Sequence, residues 1–258
     1  MADRRPPARL GAASTTFANT LTGIILITAN VLQRIFCISI GQKTGTAFVL
    51  DIDERQYMIT AAHLLPDSFS GSDVPLEIKR GADWESVPAK LVGMTPFGAD
   101  IAVFALPTLL AHPSLTLPII ESTTYGQDVY FLGFPYGKFF QLGPMNNHYP
   151  TPYVKRGIVS GFNTGGTPSL VFIDGLNNPG FSGGPVVGRK PNSNEFELIA
   201  VVSCYDTVEG EVLRRGLPDQ ELSIDVNIGI IETVAAQHAR TIARDNPIGC
   251  LLSTPISD

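Results

Sequence analysis

One serine of this 258-residue chain lies in a run rich in glycine. Ser182 belongs to the sequence GFSGGP, residues 180–185, with Gly180 two positions before it and two glycines directly after it. Glycine can adopt positive φ and lets another backbone approach closely. The hydroxyl of Ser182 can therefore be exposed, and the amides of Gly180 and Ser182 can point at one oxygen, as an oxyanion hole requires. An ordinary glycine-rich turn has the same composition, so the hypothesis depends on a base for the hydroxyl.

A serine hydroxyl is a weak nucleophile unless a base lies beside it. Of the four histidines, His63 ends the strand-like run MITAAH, and a strand end gives a rigid mount with an exposed tip. His112 and His148 lie near prolines in loop-like stretches, and His238 lies in a helix-like one. The sequence therefore indicates His63 as the candidate base.

A base histidine needs a carboxylate that fixes its tautomer and stabilises the imidazolium. Asp100 stands directly before the apolar run IAVFAL, where an acid must be either paired or solvated. A turn-capping aspartate is common at such a place, so Asp100 alone is weak evidence. Together and in this order, however, His63, Asp100 and Ser182 predict a catalytic triad.

The composition excludes several other classes of function. The net charge is -6 and no basic stripe is present, which argues against nucleic-acid binding. Cys37, Cys204 and Cys250 are widely spaced and form no C-x-x-C pair or Cys/His cluster. We therefore expect free or structural thiols, with no metal site, no cofactor and no disulfide scaffold.

The amino-terminal region leaves more than one interpretation open. Its basic residues, Arg4, Arg5 and Arg9, fit a flexible arm, which we favour, or the start of a signal peptide. The apolar run at 21–29 (LTGIILITA) is far shorter than the ~20 residues of a spanning helix, so we predict no membrane span. It fits either a signal cleaved after Ala29 or an element that packs on the domain. We favour packing and a cytoplasmic location, with export as the alternative.

Strands dominate the rest of the chain and must position the three residues. Short apolar or alternating runs predict them at 45–52, 56–62, 76–79, 89–93, 100–106, 129–133, 154–162, 169–174, 185–188, 196–203 and 222–227. Pro107 to Pro118 carries three prolines and reads as a linker between two halves. Helical spacing of apolar residues predicts a helix over Gly229 to Arg244, followed by a loose tail. The pattern indicates an all-β fold, either a sandwich or paired barrels.

Seven stretches of the sequence resemble the trypsin-like (chymotrypsin-fold) serine peptidases, and the bacterial HtrA/Deg-type protease domain in particular. They occur in that family's order between Gly45 and Ser203: GTAFVL, ITAAH, DIAVFAL, VYFLGFPYG, RGIVSG, NNPGFSGGPVV and LIAVVS. The resemblance implies two packed six-stranded antiparallel β-barrels with a C-terminal α-helix. We expect an extension at 1–30, barrel lobes at 31–115 and 116–228, and the helix and tail at 229–258.

The resemblance also implies roles for single residues. His63 would be the general base and then the acid, Asp100 would orient it, and Ser182 would form an acyl-enzyme. The amides of Gly180 and Ser182 would hold the oxyanion. Four further residues would contact substrate or support the triad: Leu176 at the base of the specificity pocket, Ser203 as a hydrogen-bond donor to Asp100, and Cys204 and Tyr205, which with Ser203 would pair with the substrate backbone.

Three departures from the family pattern refine the expectation. Phe181 replaces the acid or amide usual before the serine, so activation by burial of a new amino terminus against an aspartate is not expected. Leu176 is not an acid, and Tyr205 can narrow the pocket, which disfavours cleavage after Lys or Arg and favours small or medium apolar residues. No PDZ-like domain is expected after the peptidase.

The sequence therefore predicts a serine endopeptidase that acts on proteins or peptides. One alternative is a catalytically impaired peptide-binding module of the same fold, in which Phe181 distorts the oxyanion loop. Another is an esterase, because residues 180–184 fit G-x-S-x-G; the α/β-hydrolase order places the serine before the acid and histidine, whereas here it comes last. Residues 137–155 form an extended loop that either closes over the cleft as a lid or packs on a barrel.

Overall fold

The computed structural model describes residues 27–95, 99–163, 165, 168–190 and 193–255. Most of these residues lie in strands: β1 Ile35–Ile40, β2 Lys43–Ile52, β3 Arg55–Thr60, β4 Asp73–Arg80, β5 Asp83–Met94, β6 Ala102–Ala105, β7 Asp128–Gly133, β8 Phe140–Gln141, β9 Pro150–Thr151, β10 Tyr153–Asn163, β11 Leu170–Asp174, β12 Pro185–Arg189, β13 Phe196–Arg214, β14 Leu217–Ala235 and β15 Cys250–Leu251. Two α-helices accompany them, α1 Ala29–Leu32 and α2 Gln237–Asp245. In this part of the chain, no helix is long and apolar enough to cross a membrane.

The first six strands form one antiparallel unit. They pair in the order β3-β2-β1-β4-β5-β6, and β6 pairs again with β3, so the pairing runs in a closed circuit. The turn from β2 to β3 contains Asp53 and Glu54, both at positive φ, as a tight two-residue hairpin requires. β15 joins β3 through Cys250↔Gln56. The expectation of a loose tail is therefore wrong at this strand, which returns the chain to the first barrel.

The remaining long strands form the second barrel. It closes in the order β10-β11-β14-β13-β12-β7, and every pairing in it is antiparallel. The predicted all-β class is confirmed, and the closed pairing decides for barrels against a sandwich. The described residues between 107 and 127 contain no named strand and connect the two units, as the prolines there predict.

Several strands are buried on both faces, which explains their continuous apolar sequence. Each barrel has its own apolar core, and a third apolar cluster lies between the barrels. In β6, Ala102 and Phe104 point into the core of the first barrel. Val103 and Ala105 belong to the third cluster, which also contains residues of the second barrel and α2. In β13, Leu198 belongs to that same third cluster. The barrels are therefore packed together by an apolar layer, and a strand that contributes to this layer has no polar face.

The helix predicted over Gly229 to Arg244 is wrong in its first half. Residues 229–235 continue β14, and α2 begins only at Gln237. Ile231 and Thr233 are fully buried while β14 pairs with both β11 and β13, so the tertiary pairing overrides the helical spacing. The apolar residues at 230, 231, 234 and 235 are spaced by four, which fits both the 3.6-residue period of a helix and the two-residue period of a strand. The spacing alone therefore does not decide between helix and strand.

Candidate active site

His63 and Asp100 are brought together by two neighbouring strands. His63 follows β3 in a short 3-10 turn, Ala62–Leu64, and Asp100 stands just before β6, which pairs with β3. The imidazole Nδ1 lies 2.6 Å from Asp100 Oδ2, and the His63 backbone amide donates to Asp100 Oδ1 at 2.8 Å. One carboxylate therefore fixes both the ring and the backbone of His63. The His63 side chain is 46% exposed, so its outer edge is open to a ligand.

Ser203 of the second barrel completes the surroundings of Asp100. Its hydroxyl donates to Asp100 Oδ2 at 2.8 Å, and the residue is buried. Burial by itself disfavours the carboxylate, but the hydrogen bonds and charge of His63 and the hydroxyl of Ser203 outweigh it, so the pKa of Asp100 is lowered. The aspartate is thus held as an anion against the imidazole. The hydrogen bond predicted for Ser203 is present.

Ser182 lies on the loop between β11 and β12, at the same place. Its hydroxyl donates to the carbonyl oxygen of Ser203 at 3.1 Å, and within the described ranges no hydrogen bond joins it to His63. Ser203 therefore connects the three residues, since its hydroxyl contacts Asp100 and its carbonyl accepts from Ser182. The structure therefore brings His63, Asp100 and Ser182 together at one point between the barrels.

The loop around Ser182 directs two amides outward. The carbonyl of Pro179 accepts from Tyr136 N at 2.7 Å, and the carbonyl of Phe181 accepts from Gly184 N at 2.8 Å. Because N–H and C=O point in opposite directions across a trans peptide, the amides of Gly180 and Ser182 point the other way. Neither amide donates to another backbone group in the parts of the chain described, so the pair is available to a ligand oxygen.

Two observations explain why this loop requires glycine and a partner from the first barrel. Gly180 has φ +104°, and a Cβ there would lie 2.2 Å from the carbonyl oxygen of Phe134. Thr46 Oγ1 donates to the Gly180 carbonyl at 2.6 Å, and Thr46 N donates to the Ser182 carbonyl at 3.0 Å. Sequence reasoning missed Thr46 as a site residue. Its signal was its position in the stretch GTAFVL.

Phe181 points away from the site, into the second barrel. It is fully buried and packs edge-on against Phe131, with ring centroids 5.3 Å apart. Lys155 Nζ lies 5.2 Å from the centroid of its ring. The aromatic residue therefore anchors the loop from inside, and the outward direction of the Gly180 amide is retained beside it.

Lys155 is a second residue that the sequence analysis did not identify. Its Nζ donates to the carbonyl of Leu176 and to Asn178 Oδ1, each at 2.6 Å. The Asn178 carbonyl in turn accepts from Phe181 N at 3.3 Å. Burial lowers the pKa of Lys155. One ammonium group thus fastens both the segment that precedes Ser182 and the ring of Phe181.

The candidate specificity residues lie on two adjacent segments. Leu176 is 57% exposed on the loop after β11, so its side chain is presented to solvent. Cys204 is exposed and Tyr205 half-buried on β13, where Cys204 faces Glu232 across the pair of strands. Burial, and then the charge of Glu232, raise the pKa of the Cys204 thiol; burial, and then Asp206 and Asp100, raise the pKa of Glu232. All three cysteines are free.

The part of residues 137–155 that precedes β10 packs on the first barrel. β8 and β9 pair within this segment, and Gly81 N donates to the carbonyl of His148 at 2.8 Å. Tyr149 meets Phe36 edge-on at 5.0 Å. Of the two alternatives for this loop, the structure has the packed one. Among the described residues, no group of three or more His, Cys, Asp or Glu side chains is arranged to hold a metal ion.

Comparison with solved structures shows the fold that these features predict. The HtrA-type protease AlgW, solved with a tripeptide, matches with a TM-score of 0.51 and 18% identity, over 85% of this chain and 61% of its own. Rv3671c from M. tuberculosis, solved as an inactive serine-to-alanine mutant, matches with a TM-score of 0.52 and 16% identity, over 89% of this chain and 92% of its own. A serine endoprotease from Yersinia pestis matches with a TM-score of 0.52 and 18% identity, over 86% of this chain and 68% of its own.

The chain thus spans less than two thirds of AlgW, and identities of this size show a shared chymotrypsin-like fold. No curated protein matches the sequence. The family model of the trypsin-like peptidase domain matches residues 45–192, more than half of the chain, and this range includes His63, Asp100 and Ser182. This protein belongs to the trypsin-like peptidase family.

Proposed function

We propose that this protein is a serine endopeptidase with Ser182 as nucleophile, His63 as general base and Asp100 as its partner. One observation carries the proposal. His63 and Ser203 both donate to the partly buried Asp100 carboxylate, and Ser182 is hydrogen-bonded to the same Ser203. A nucleophile, a base and an orienting acid on rigid strand ends are what acyl transfer requires.

The reaction follows from these positions. His63 takes the proton of Ser182 as its oxygen attacks the scissile carbonyl, and Asp100 stabilises the imidazolium. The amides of Gly180 and Ser182 donate to the oxyanion. The tetrahedral intermediate collapses as His63 gives the proton to the leaving amine, which leaves an acyl-enzyme. Water, deprotonated by His63, then attacks the ester, and Ser182 recovers its proton.

Substrate binding would itself bring Ser182 into position. The Ser203 carbonyl that accepts from Ser182 is also the group to which an extended substrate would donate its backbone amide. An incoming amide would therefore displace the Ser182 hydroxyl, which would then turn to His63. Hydroxyl rotation is a small side-chain movement, so the site needs no larger rearrangement before the attack.

The acyl side of the cleft favours uncharged residues in this proposal. Leu176 occupies the position expected for the base of the primary pocket, and Tyr205 narrows its wall. We expect cleavage after small or medium apolar residues in proteins or peptides. Profiling of cleavage sites in an unfolded protein by mass spectrometry would contradict this expectation if Lys or Arg preceded most cut bonds.

The direct test is covalent labelling with a fluorophosphonate probe. We expect the parent protein to be labelled, and Ser182→Ala and His63→Ala to remain unlabelled while keeping the circular dichroism spectrum of the parent. Thr254→Ala, on the carboxy-terminal turn, is the matched control and should label like the parent. A folded parent that remains unlabelled would refute the assignment of Ser182 as an activated nucleophile.

The second candidate is a peptide-binding module of impaired activity. The hydrogen bond of Ser182 to the Ser203 carbonyl, in place of one to His63, favours it. In that case unfolded peptides would bind the parent and Ser182→Ala with equal affinity, and neither protein would release fragments. Fluorescence anisotropy together with mass spectrometry of the incubated peptide distinguishes the two candidates.

A further inference from the structure

The strands β13 and β14 continue beyond the second barrel as a two-stranded ribbon, residues 204–230. β12 pairs with β13 only over residues 196–201, and β11 pairs with β14 only over residues 230–234. Between these limits the two strands pair with each other, from Thr207↔Asn227 to Arg214↔Leu217. As far as the structure describes the chain, no further strand pairs with them there. From Tyr205 to Leu213, the β13 edge of the ribbon is therefore not covered by a third strand.

One face of the ribbon is aliphatic. Val208 lies opposite Val226, and Gly210 lies opposite Ile224. Leu222 shares this face because side chains alternate along a strand. The four aliphatic side chains are 43% to 56% exposed. Large aliphatic side chains exposed in a row mark a surface that another chain covers.

The ribbon is also strongly acidic. On the opposite face, Glu209 stands directly across from Asp225, and like charges at such positions repel each other. Residues 204–230 contain six acids (Asp206, Glu209, Glu211, Asp219, Glu221 and Asp225) against two arginines (Arg214 and Arg215), a net charge of -4. This charge selects a cationic partner and disfavours a second copy of the ribbon, which would carry the same charge.

We propose that the free edge of β13, from Tyr205 to Leu213, binds the substrate on the amino-terminal side of the scissile bond as an added third strand. The substrate class is an extended or unfolded polypeptide in which aliphatic and basic residues alternate. The proposal rests on the proposed peptidase function, because it places the scissile bond at Ser182.

Continuity with the site supports this occupant. The Ser203 carbonyl contacts Ser182, and the free edge begins two residues further along the same strand. A substrate strand antiparallel to β13 would extend from Ser182 towards its own amino terminus along about 30 Å of ribbon. Its aliphatic side chains would pack beside Val208, and its basic ones would lie beside Glu209 and Glu211.

Two fluorogenic peptides test the proposal. Both contain a bond that the protein cuts in unfolded casein. The short peptide begins at the residue that would face Tyr205, and the long one continues with alternating valine and lysine to the residue that would face Leu213. Because several cross-strand pairs are added, we expect kcat/KM to be roughly tenfold or more higher for the long peptide, mainly through KM.

The matched variant removes the ribbon. Thr207 and Asn227 are cross-strand partners, so an Asn-Gly turn in place of residues 208–226 joins them directly. We expect this variant to cleave both peptides at the rate of the short one and to react normally with fluorophosphonate. Val208→Ser combined with Val226→Ser should reduce the preference for the long peptide over the short one without removing the strands. Leu251→Ser, an exposed aliphatic on β15, is the control and should retain it.

The outcomes separate this proposal from the peptidase proposal. Equal kcat/KM for both peptides on the parent, or an unchanged preference after removal of the ribbon, would overturn the ribbon site while the peptidase function stands. If the parent neither labels nor cleaves, the peptidase function fails. Fluorescence anisotropy with the valine-lysine extension alone then decides the ribbon site, which requires tighter binding to the parent than to the shortened variant.

Discussion

Lys155→Met tests whether an internal ammonium group holds the loop of Ser182 in the conformation that the proposed reaction needs. Lys155 donates to Leu176 O and Asn178 Oδ1 at 2.6 Å and lies over the ring of Phe181. Methionine keeps most of the side-chain volume and removes all three interactions. The Leu176 carbonyl and the Asn178 amide then lose their donor, and the segment before Ser182 is free to shift.

The expected magnitude follows from these contacts. Hydrogen bonds to a charged group contribute about 1.5–3 kcal/mol each. Partial burial of the ammonium, which lowers the pKa of Lys155, and hydration of the released acceptors both reduce the net effect. A net loss of about 1.5 kcal/mol in loop ordering corresponds to roughly a tenfold decrease in reactivity.

The assay is the second-order rate of fluorophosphonate labelling, because it depends on the oxyanion amides and needs no known substrate. We expect Lys155→Met to label about tenfold more slowly at a nearly unchanged Tm, and Lys155→Arg to recover part of the rate. Lys190→Met, which removes a surface lysine near Glu195, is the control. A Lys155→Met rate within twofold of the parent would refute a positioning role; an equally large loss in Lys190→Met would show that the effect is not local.

Three further predictions concern stability and loop geometry. Arg34→Met removes a fully buried guanidinium that pairs with Asp51, so the free energy of unfolding in urea should fall by about 3 kcal/mol. The control Arg156→Met breaks an exposed ion pair with Asp128 and should lower this free energy by under about 1 kcal/mol. Gly180→Ala would place Cβ 2.2 Å from the Phe134 carbonyl oxygen and should abolish labelling, whereas Gly126→Ala, also at positive φ but with no atom within 4 Å, should not. The raised pKa of Glu232 means that its ionisation destabilises the fold as pH rises above 4.5. Glu232→Gln should therefore raise Tm by about 1 °C at pH 7 and leave it unchanged at pH 4. An equal increase in Tm at both pH values would contradict this prediction.

The strands that form the barrels were predictable because their local and tertiary preferences agree. Runs such as 129–133 and 185–188 are apolar, bounded by turn residues and close to their observed limits in β7 and β12. β1 was missed, because only five residues separate its apolar residues from the ambiguous amino-terminal run at 21–29. In β14 the local pattern fits a helix as well as a strand, and only the barrel partners decide. The length of the ribbon at 204–230 could not be predicted either, because the polar residues at 204–216 resemble a loop.

The triad candidates were predictable for a different reason. Each of the three lies at the end of a recognisable strand or in a glycine-rich loop, so sequence order places them. Thr46 and Lys155 could not be found in this way. They act mainly through hydrogen bonds to backbone carbonyl groups of distant segments, and a backbone carbonyl has no sequence signature. Phe181 appeared as a departure from the family pattern, and its burial against Phe131 shows the physical role of that change.

Several hydrogen bonds of the candidate site cross between the barrels, and this has a consequence for folding. Asp100 of the first barrel accepts from Ser203 of the second, and Thr46 of the first holds the loop of Ser182 in the second. Neither barrel alone therefore contains the complete site, because His63 and Asp100 belong to the first barrel and the loop of Ser182 belongs to the second. The apolar layer between the barrels, which includes Val103 and Leu198, supplies the contact that brings both halves together. Any change that weakens this layer should lower labelling by fluorophosphonate before it unfolds either barrel, because the site depends on the docking of two units and each unit has its own core.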